Sequence, residues 1–234
     1  MKFLSYIEST GTQYIDTGVS VNANTYTGLK VVVDCDALSA INPNWAVNGI
    51  SGGGVVFYLG ITNGNIVAYG NGTLNLTTGK TYTSGKMVFD LDVPNKRYTV
   101  GNLLSMTNLT FSTPTGNQNF YLFAYNTGSG AVGHRSRIYS CQIYSNGTLV
   151  RDFVPAQNDD GTVGLYDKAN GAFYANAGTG EFVAGEALVE MYSVNFTGLA
   201  NDRTYYARVY PMNPEGNAQS EIGTQVGSAS PTAS

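Results

Sequence analysis

Asp90 and Asp92 are the carboxylates whose spacing best fits a hydrolytic site, because they occupy alternate positions of a strand-like run. Glycoside hydrolysis uses two carboxyl groups roughly 5 to 9 Å apart, one as general acid and one as nucleophile or base. No Glu accompanies this pair, and carboxylates that face solvent on a strand are ordinary. We therefore expect a protein that is not an enzyme, with glycoside hydrolysis as the less favoured alternative.

His134 is the single histidine of the chain, and Arg135 follows it where a glycine-rich loop meets a strand-like run. No Ser or Cys nucleophile motif accompanies His134, so the sequence contains no recognisable triad. A histidine at a strand edge is more often satisfied by the backbone than catalytic. Arg135 offers a planar donor fork of the kind that binds a sugar carboxylate or a phosphate.

Aromatic side chains in polar surroundings point to sugar binding, which needs ring faces together with amide and hydroxyl partners. Trp45 is the only tryptophan and lies in a segment too broken for a core strand. Tyr58 and Tyr69 alternate with apolar residues, and Tyr121 with Tyr125 forms a comparable stripe. The alternative is that Trp45 covers the core and the tyrosines clothe a concave sheet. The candidate ligand-binding residues are Trp45, Asn48, Tyr58, Tyr69, Tyr125, His134 and Arg135.

Composition excludes several classes of function. Only 12% of the 234 residues are charged, the net charge is −4, and no cluster of Lys and Arg could hold a phosphate backbone, so nucleic acid is not expected as a partner. No apolar run is long enough to span a bilayer. The first eight residues turn polar too soon for a signal peptide, which favours a protein made without export.

Alternation with a period of two residues dominates the chain and predicts at least eight strands. In one run, Thr27, Leu29, Val31, Val33 and Cys35 share a face. The same pattern recurs in Val55, Phe57, Leu59 and Ile61, then in Met87, Phe89, Leu91 and Val93, and then in Phe120, Leu122 and Ala124. No sustained helical period with caps occurs, so we expect very little helix.

Asn-Gly pairs recur between these runs, and both residues tolerate the positive φ that two-residue hairpins require. The pairs begin at Asn48, Asn63, Asn71, Asn146 and Asn170, with Asp160-Gly161 as a further case. We expect antiparallel hairpins around Asn146-Gly147 and around residues 167–171.

Cys35 and Cys141 each lie inside a strand-like run. Without CxxC spacing, and with one histidine, they cannot form a zinc site. The sequence allows either two buried free thiols or one inter-strand disulfide between these residues.

The opening run from Tyr6 to Gly18, YIESTGTQYIDTG, resembles the start of a concanavalin A-like, laminin-G-type jelly roll. The runs IYSCQIY at 138–144, LVRDFVPA at 149–156 and VGLYD at 163–167 resemble the close of the same module. Such modules occur in tail proteins of phages that infect gut bacteria and in surface proteins of those bacteria. The resemblance implies an all-β, two-sheet antiparallel jelly-roll sandwich with a small β appendage at its C-terminal side.

That fold class implies calcium as the most natural ion, which would need several oxygen ligands from loops. Acidic candidates are Asp16, Asp34, Asp36, Asp159 and Asp160. No EF-hand spacing exists, and a turn-forming role is commoner for residues 158–161. We expect no cofactor, with Ca²⁺ as the open alternative.

A composition shift near Gly185 predicts a boundary. Gly198-Leu199, Tyr205 and residues 213–216 are similar to the second half of a fibronectin type III domain. We expect three parts: a jelly roll over 1–185, a partial fibronectin type III-like β segment over 186–226, and a flexible tail over 227–234. An incomplete domain of this kind favours pairing with the jelly roll edge or with another copy of the chain.

These observations favour a lectin-like recognition module that attaches a phage tail to its host by binding a cell-surface glycan. The alternative is a purely structural part of a virion that contacts other virion proteins or forms a homo-oligomer through its C-terminal segment. Neither function needs membrane insertion. The expected location is the virion, with the bacterial cell surface or the extracellular space as the alternative.

Overall fold

The computed structural model describes residues 1–38, 46–62, 64–70, 74–82 and 85–188, with the pairs 205–206 and 228–229. The chain divides into two compact units, Met1–Val189 and Glu190–Ser234. In the second unit, the strand Tyr205–Tyr206 pairs antiparallel with Ser228–Ala229. The remaining residues of the fibronectin-like resemblance lie outside the described residues.

The described chain is built from short strands and one turn of 3-10 helix, Tyr26–Gly28. In chain order the first strands are β1 (Lys2–Phe3), β2 (Ile7–Thr10), β3 (Ile15–Val21), β4 (Leu29–Ala37), β5 (Ala46–Gly52), β6 (Val55–Thr62), β7 (Asn65–Gly70), β8 (Leu74–Thr81), β9 (Met87–Asp92), β10 (Arg97–Val100) and β11 (Leu104–Met106). The others are β12 (Gln118–Leu122), β13 (Ala124–Asn126), β14 (Ala131–Gly133), β15 (Arg135–Ser145), β16 (Thr148–Gln157), β17 (Val163–Asp167), β18 (Ala172–Tyr174), β19 (Val183–Ala184), β20 (Tyr205–Tyr206) and β21 (Ser228–Ala229).

Two large sheets form the first unit, which confirms the predicted all-β, two-sheet antiparallel sandwich. The first sheet has the order β11-β10-β9-β4-β15-β16-β17-β18, with β1 on β16, β2 on β15 and β19 on β2. The second sheet has the order β14-β13-β5-β6-β7-β8, with β12 lying between β3 and β5. The pairings are antiparallel except that of β13 with β5, which is parallel.

Alternate residues of these strands point into the sandwich, as the period of two predicts. Strand β4 is the clearest case, since its residues alternate between buried and half-buried along its whole length. Thr27 is the exception to the predicted face, because it lies in the 3-10 turn before β4 and is exposed. The prediction for Thr27 is therefore wrong, and the strand begins at Leu29.

The hairpin around Asn146-Gly147 is confirmed: Ser145 pairs with Thr148, and the two turn residues have φ values of 50° and 79°. The hairpin around residues 167–171 is confirmed as well, with Asp167 paired to Ala172. Asn48-Gly49 is not a turn, because both residues lie inside β5 and pair with β6. Gly49 instead lies in close contact with Phe57 and Tyr58 of β6. Asn63 and Asn71 lie outside the described residues.

The run from Phe120 to Tyr125 is broken, although its alternation predicts one strand. Phe123 is buried and has a φ of 65°, and the chain reverses there. Strand β12 therefore runs antiparallel to β5, while β13 runs parallel to it. The reversal brings Tyr121 and Tyr125 to the same partner, Gly49.

The core between the sheets is apolar, with Phe57, Phe89, Phe120 and Phe153 among its largest fully buried side chains. A polar link crosses it, since the buried Tyr98 hydroxyl of β10 donates to the Val67 carbonyl of β7 at 2.9 Å.

Cys35 and Cys141 are both free and buried. They are offset by two pairs across β4 and β15, because Cys35 faces Ile138 while Cys141 faces Val33. Burial raises the pKa of both thiols. The structure therefore supports the first of the two possibilities for these residues, two small buried side chains.

The two ends of the first unit pair with each other. The Leu188 amide donates to the Phe3 carbonyl at 2.8 Å, Leu4 bridges Ala187, and the ladder continues to Glu8 opposite Val183. Residues 3–8 and 183–188 thus form one antiparallel ladder that lies beside β16 at Phe3 and beside β15 at Ile7 and Glu8.

Asp167 is a buried charge at the end of β17, with no exposed surface. Its carboxylate accepts from the Asp152 amide at 2.8 Å, the Ala169 amide at 3.0 Å and the Asn170 side chain at 2.7 Å. The Arg151 guanidinium lies 3.7 Å away and also donates to the Thr17 carbonyl of the second sheet. One carboxylate therefore holds the hairpin and a link between the sheets.

Replacement of Asp167 by Ala is expected to lower the free energy of unfolding by about 3–5 kcal/mol, because it removes the ion-pair partner of Arg151 and the buried acceptor of the Asp152 and Ala169 amides. Lys168→Ala is the matched control, since that side chain is 51% exposed and only pairs with Asp152. Its loss should cost less than about 1 kcal/mol. Urea titration followed by circular dichroism measures both; equal midpoints for the two variants would contradict the role given to Asp167.

Candidate functional site

A transverse line of outward-facing residues crosses the second sheet. Asp16 of β3 pairs with Tyr121 of β12, which pairs with Gly49 of β5. Gly49 pairs in turn with Tyr58 of β6, and Tyr58 with Tyr69 of β7. Because directly opposed residues on neighbouring strands share a face, these side chains form one row across the sheet.

The rings of this row stack in two groups. Tyr14 stacks on Tyr121 with ring centroids 4.7 Å apart. In the second group Tyr58 lies between Tyr69, at 4.4 Å, and Tyr125, at 6.4 Å. His134 continues this group beyond Tyr125 at 5.5 Å. We call these residues the aromatic row: Tyr14, Tyr121, His134, Tyr125, Tyr58 and Tyr69.

The aromatic row contains four of the residues that the sequence proposes as ligand-binding, and the structure brings them into contact: Tyr58, Tyr69, Tyr125 and His134. The rings of Tyr58 and Tyr69 stand 28° from parallel, so their faces cover each other. What the interior of the row presents to solvent is therefore ring edges and hydroxyl groups rather than open ring faces. This differs from the sequence-based expectation, which assumed free faces.

Burial favours the neutral phenol at two positions of the row, Tyr58 and Tyr121. Tyr58 hydrogen-bonds to Tyr69, and burial followed by the proximity of Tyr69 and Tyr125 raises the pKa of Tyr58 above its usual range. Burial first, and then Asp16, raise the pKa of Tyr121. Phenol groups of this kind donate and accept hydrogen bonds without carrying charge.

Gly49 makes the close packing of the row possible. A Cβ on Gly49 would lie 2.2 Å from the Phe57 carbonyl oxygen and 2.6 Å from the Tyr58 Cα, and the residue has a φ of +144°. The absence of a side chain lets Tyr58 and Tyr125 approach each other across β5. Sequence analysis missed this residue, because its Asn-Gly context is typical of a turn.

Asn48 supports the aromatic row through a hydrogen bond on the buried side of β5. Its side chain is 2% exposed, and its oxygen accepts from the Phe123 amide at 2.8 Å. That bond supports the reversal after which Tyr125 returns to Gly49. The position of Asn48 gives it a positioning role toward the row.

Arg135 follows His134 in sequence but belongs to the first sheet, at the start of β15. Its guanidinium lies 3.3 Å from the Glu8 carboxylate, which also accepts from Arg137 at 2.9 Å. The Arg137 guanidinium lies 4.5 Å from the centre of the Tyr6 ring. Arg135 is thus part of a charged cluster and does not join His134 in the contacts of the row. Trp45 lies outside the described residues.

The carboxylates of Asp90 and Asp92, on β9 of the first sheet, belong to an ion-pair cluster. Arg97 lies 2.8 Å from Asp90, and Lys30 lies 3.6 Å from Asp90 and 3.8 Å from Asp92. Asp92 also accepts from the Asn95 side chain at 2.9 Å. Both carboxylates therefore form ion pairs with neighbouring cations.

The five acidic residues considered for calcium do not converge. Asp34 pairs with Lys86 at 3.0 Å, and Asp36 accepts from the Tyr82 hydroxyl at 2.6 Å. Asp159 pairs with the N-terminal amine. Within the described part of the chain, no group of three or more His, Cys, Asp or Glu side chains could hold a metal ion.

Replacement of Gly49 by Ala should displace Tyr58 and lower the free energy of unfolding by about 1–3 kcal/mol, because the added methyl overlaps the β6 backbone. Gly11→Ala is the matched control: Gly11 also has a positive φ, +120°, but nothing lies within 4 Å of its Cβ position. The difference between the two variants in urea titration measures the contact alone. A Gly49→Ala protein no less stable than Gly11→Ala would refute the packing argument.

His134 should make stability depend on pH. Burial lowers the pKa of His134 from 6.5 to about 4, so between these values the unfolded chain binds a proton that the folded chain does not. The free energy of unfolding therefore falls as the pH is lowered through this window, by at most about 3 kcal/mol.

His134→Gln is the control, since carboxylates titrate equally in both proteins and the difference between them isolates the histidine. Chemical unfolding at steps from pH 7 to pH 4 should show a shallower decline in the variant. Parallel curves for the two proteins would show that His134 does not keep its lowered pKa.

Comparison of the chain with known protein families, with curated proteins and with solved structures gives no match. The fold by itself is a two-sheet antiparallel sandwich. The resemblance to the concanavalin A-like and laminin-G-type family stays a prediction.

Proposed function

We propose that this chain is a non-enzymatic recognition module that binds carbohydrate at the aromatic row. The observation that carries the proposal is the register of the second sheet, which aligns Tyr121, Tyr58 and Tyr69 on one outward line. A contiguous outward line of aromatic side chains is not required for the sandwich core, which lies on the opposite side of the same strands.

The row suits a sugar through its hydroxyl and amide groups. Tyr58 and Tyr69 are half-buried and stacked on each other, so their rings are held in place while part of each side chain remains exposed. Asn119 lies two residues before Tyr121, and its amide donates to Asp16 at 3.2 Å. Rigid tyrosine hydroxyls and a fixed amide are groups that bind sugar hydroxyls with little loss of side-chain entropy.

The length of the row favours a chain over a single sugar. Strands lie about 4.8 Å apart, so the line from Tyr121 on β12 to Tyr69 on β7 spans roughly 14 Å. A monosaccharide would contact only part of it. We therefore take the ligand to be an oligosaccharide or polysaccharide that lies across the strands.

Attachment to a host is the role that best unites this site with the resemblance to phage tail and bacterial surface modules. On this proposal the chain is part of a virion and its ligand is a cell-surface glycan, with the bacterial surface as the alternative location. No helix within the described residues is long and apolar enough to cross a membrane.

The structural alternative, a virion part that only contacts other virion proteins, is favoured by one feature. Strand β8 has eight residues and stands at the end of the second sheet. A sheet edge of this length is a surface on which another chain can pair.

The test is a glycan array followed by titration calorimetry with the bound glycan. The double variant Tyr58→Phe, Tyr69→Phe keeps the stacked rings but removes two hydroxyls. The loss of each hydroxyl should weaken binding about two- to tenfold. Longer oligomers should compete better than the monosaccharide. Tyr144→Phe is the matched control, because it removes a hydroxyl from the other sheet, where it donates to Gln142.

Equal losses in the Tyr144 variant and in the Tyr58/Tyr69 variant would contradict binding at the row. Absence of binding to bacterial wall and capsule glycans would contradict carbohydrate recognition altogether. If that absence is accompanied by concentration-dependent oligomers in light scattering, the structural alternative replaces the proposal.

A further inference from the structure

The two sheets differ sharply in charge. Among the described residues, the strands of the second sheet contain two charged side chains, Asp16 and Lys80. Charged residues of the first sheet are Lys2, Glu8, Lys30, Asp34, Asp36, Asp90, Asp92, Arg97, Arg135, Arg137, Arg151, Asp152 and Asp167. The face that carries the aromatic row is therefore almost uncharged.

Arginines, the side chains that best bind acidic ligands, are already engaged on the first sheet. Each arginine within residues 85–188 lies beside a carboxylate: Arg97 beside Asp90, Arg135 and Arg137 beside Glu8, and Arg151 beside Asp167. An acidic ligand would have to displace a carboxylate from one of these pairs before it could use the arginine.

Within the strands of the second sheet that the structure describes, the charged residue that pairs with a member of the aromatic row is negative. Asp16 lies opposite Tyr121, and its carboxylate accepts from the Gly18 amide at 2.9 Å and from Asn119 at 3.2 Å. These bonds hold the carboxylate in place beside the ring. An acidic group that approached Tyr121 would meet like charge, whereas a sugar hydroxyl would meet an acceptor.

Two members of the row, Tyr58 and His134, have pKa values shifted in the direction that favours their neutral forms. The raised pKa of Tyr58 keeps its phenol protonated, and the lowered pKa of His134, about 4, keeps its imidazole neutral near pH 7. His134, which ends this stack beyond Tyr125, therefore offers no cation to an acidic sugar near pH 7.

From this distribution of charge we infer that the aromatic row selects electrically neutral polysaccharides and rejects acidic ones. The inference rests on the proposed carbohydrate-binding function and narrows its ligand class. A neutral chain loses only hydroxyl solvation on binding, and the tyrosine hydroxyls, the Asn119 amide and the Asp16 carboxylate replace those hydrogen bonds. An acidic chain also loses the solvation of its carboxylates and finds no cation in return.

The experiment uses paired polysaccharides that differ only in their carboxyl groups: polygalacturonate and its carboxyl-reduced form, and alginate and its carboxyl-reduced form. Binding of the full chain to each immobilised polymer is measured at 20 mM and at 500 mM NaCl. At least one reduced polymer should bind at least tenfold more tightly than its acidic parent at low salt. Its affinity should change less than twofold with salt, because no ion pair is made.

Asp16→Asn provides the second measurement. The amide keeps an oxygen for the Gly18 bond but removes the negative charge, so any weak binding of the acidic parent should improve by about two- to fivefold. Binding of the reduced polymer should not improve, because an amide oxygen is a weaker acceptor than a carboxylate for its hydroxyls. Asp160→Asn is the matched control, because that carboxylate is exposed in a loop of the same unit and bonds to Thr162.

Failure of this inference is distinguishable from failure of the proposed function. Preferential binding of an acidic parent that falls with salt would overturn the neutral selectivity and leave carbohydrate binding standing. If none of the four polymers binds, and the glycan array is also silent, the function fails and the selectivity fails with it. Equal affinity within each pair also overturns the inference, because charge would then make no difference.

Discussion

The hydrogen bond from the Phe123 amide to the Asn48 side chain supports the reversal that places both β12 and β13 against β5. Phe123 has a φ of 65°, a conformation that a bulky residue adopts only when its surroundings compensate for the strain. The buried Asn48 oxygen, 2.8 Å away, supplies part of that compensation from the neighbouring strand. Because the chain reverses here, one segment meets β5 twice, and Tyr125 comes to lie beside Tyr58.

Local patterns were sufficient to predict much of the fold. The alternation of β4 and the Asn146-Gly147 hairpin depend on neighbouring residues alone, and both have the predicted form. The conformations of Gly49 and Phe123 were not predictable in the same way, because they depend on contacts with residues of other strands. A side chain at position 49 would overlap Phe57 and Tyr58, so this position requires glycine although it is not part of a turn.

Part of the aromatic row was predictable from the sequence, but the orientation of its rings was not. Alternation alone places Tyr58 and Tyr69 on the outward face, and the structure adds His134 to the same stack. Whether rings lie flat on a sheet or stand against one another depends on the register between strands, which one sequence does not reveal. Arg135 shows the same limit, since its guanidinium pairs with Glu8 of the first sheet although it directly follows His134 in sequence.

The ladder between residues 3–8 and 183–188 determines how the sandwich responds to tension. Because the two segments are antiparallel, residues 2 and 188 lie at the same end of the ladder, beside the bond from Leu188 to Phe3. A force applied between these two residues breaks the hydrogen bonds of the ladder one after another, from Leu188 toward Val183. The sandwich would therefore yield first by peeling residues 183–188 from residues 3–8.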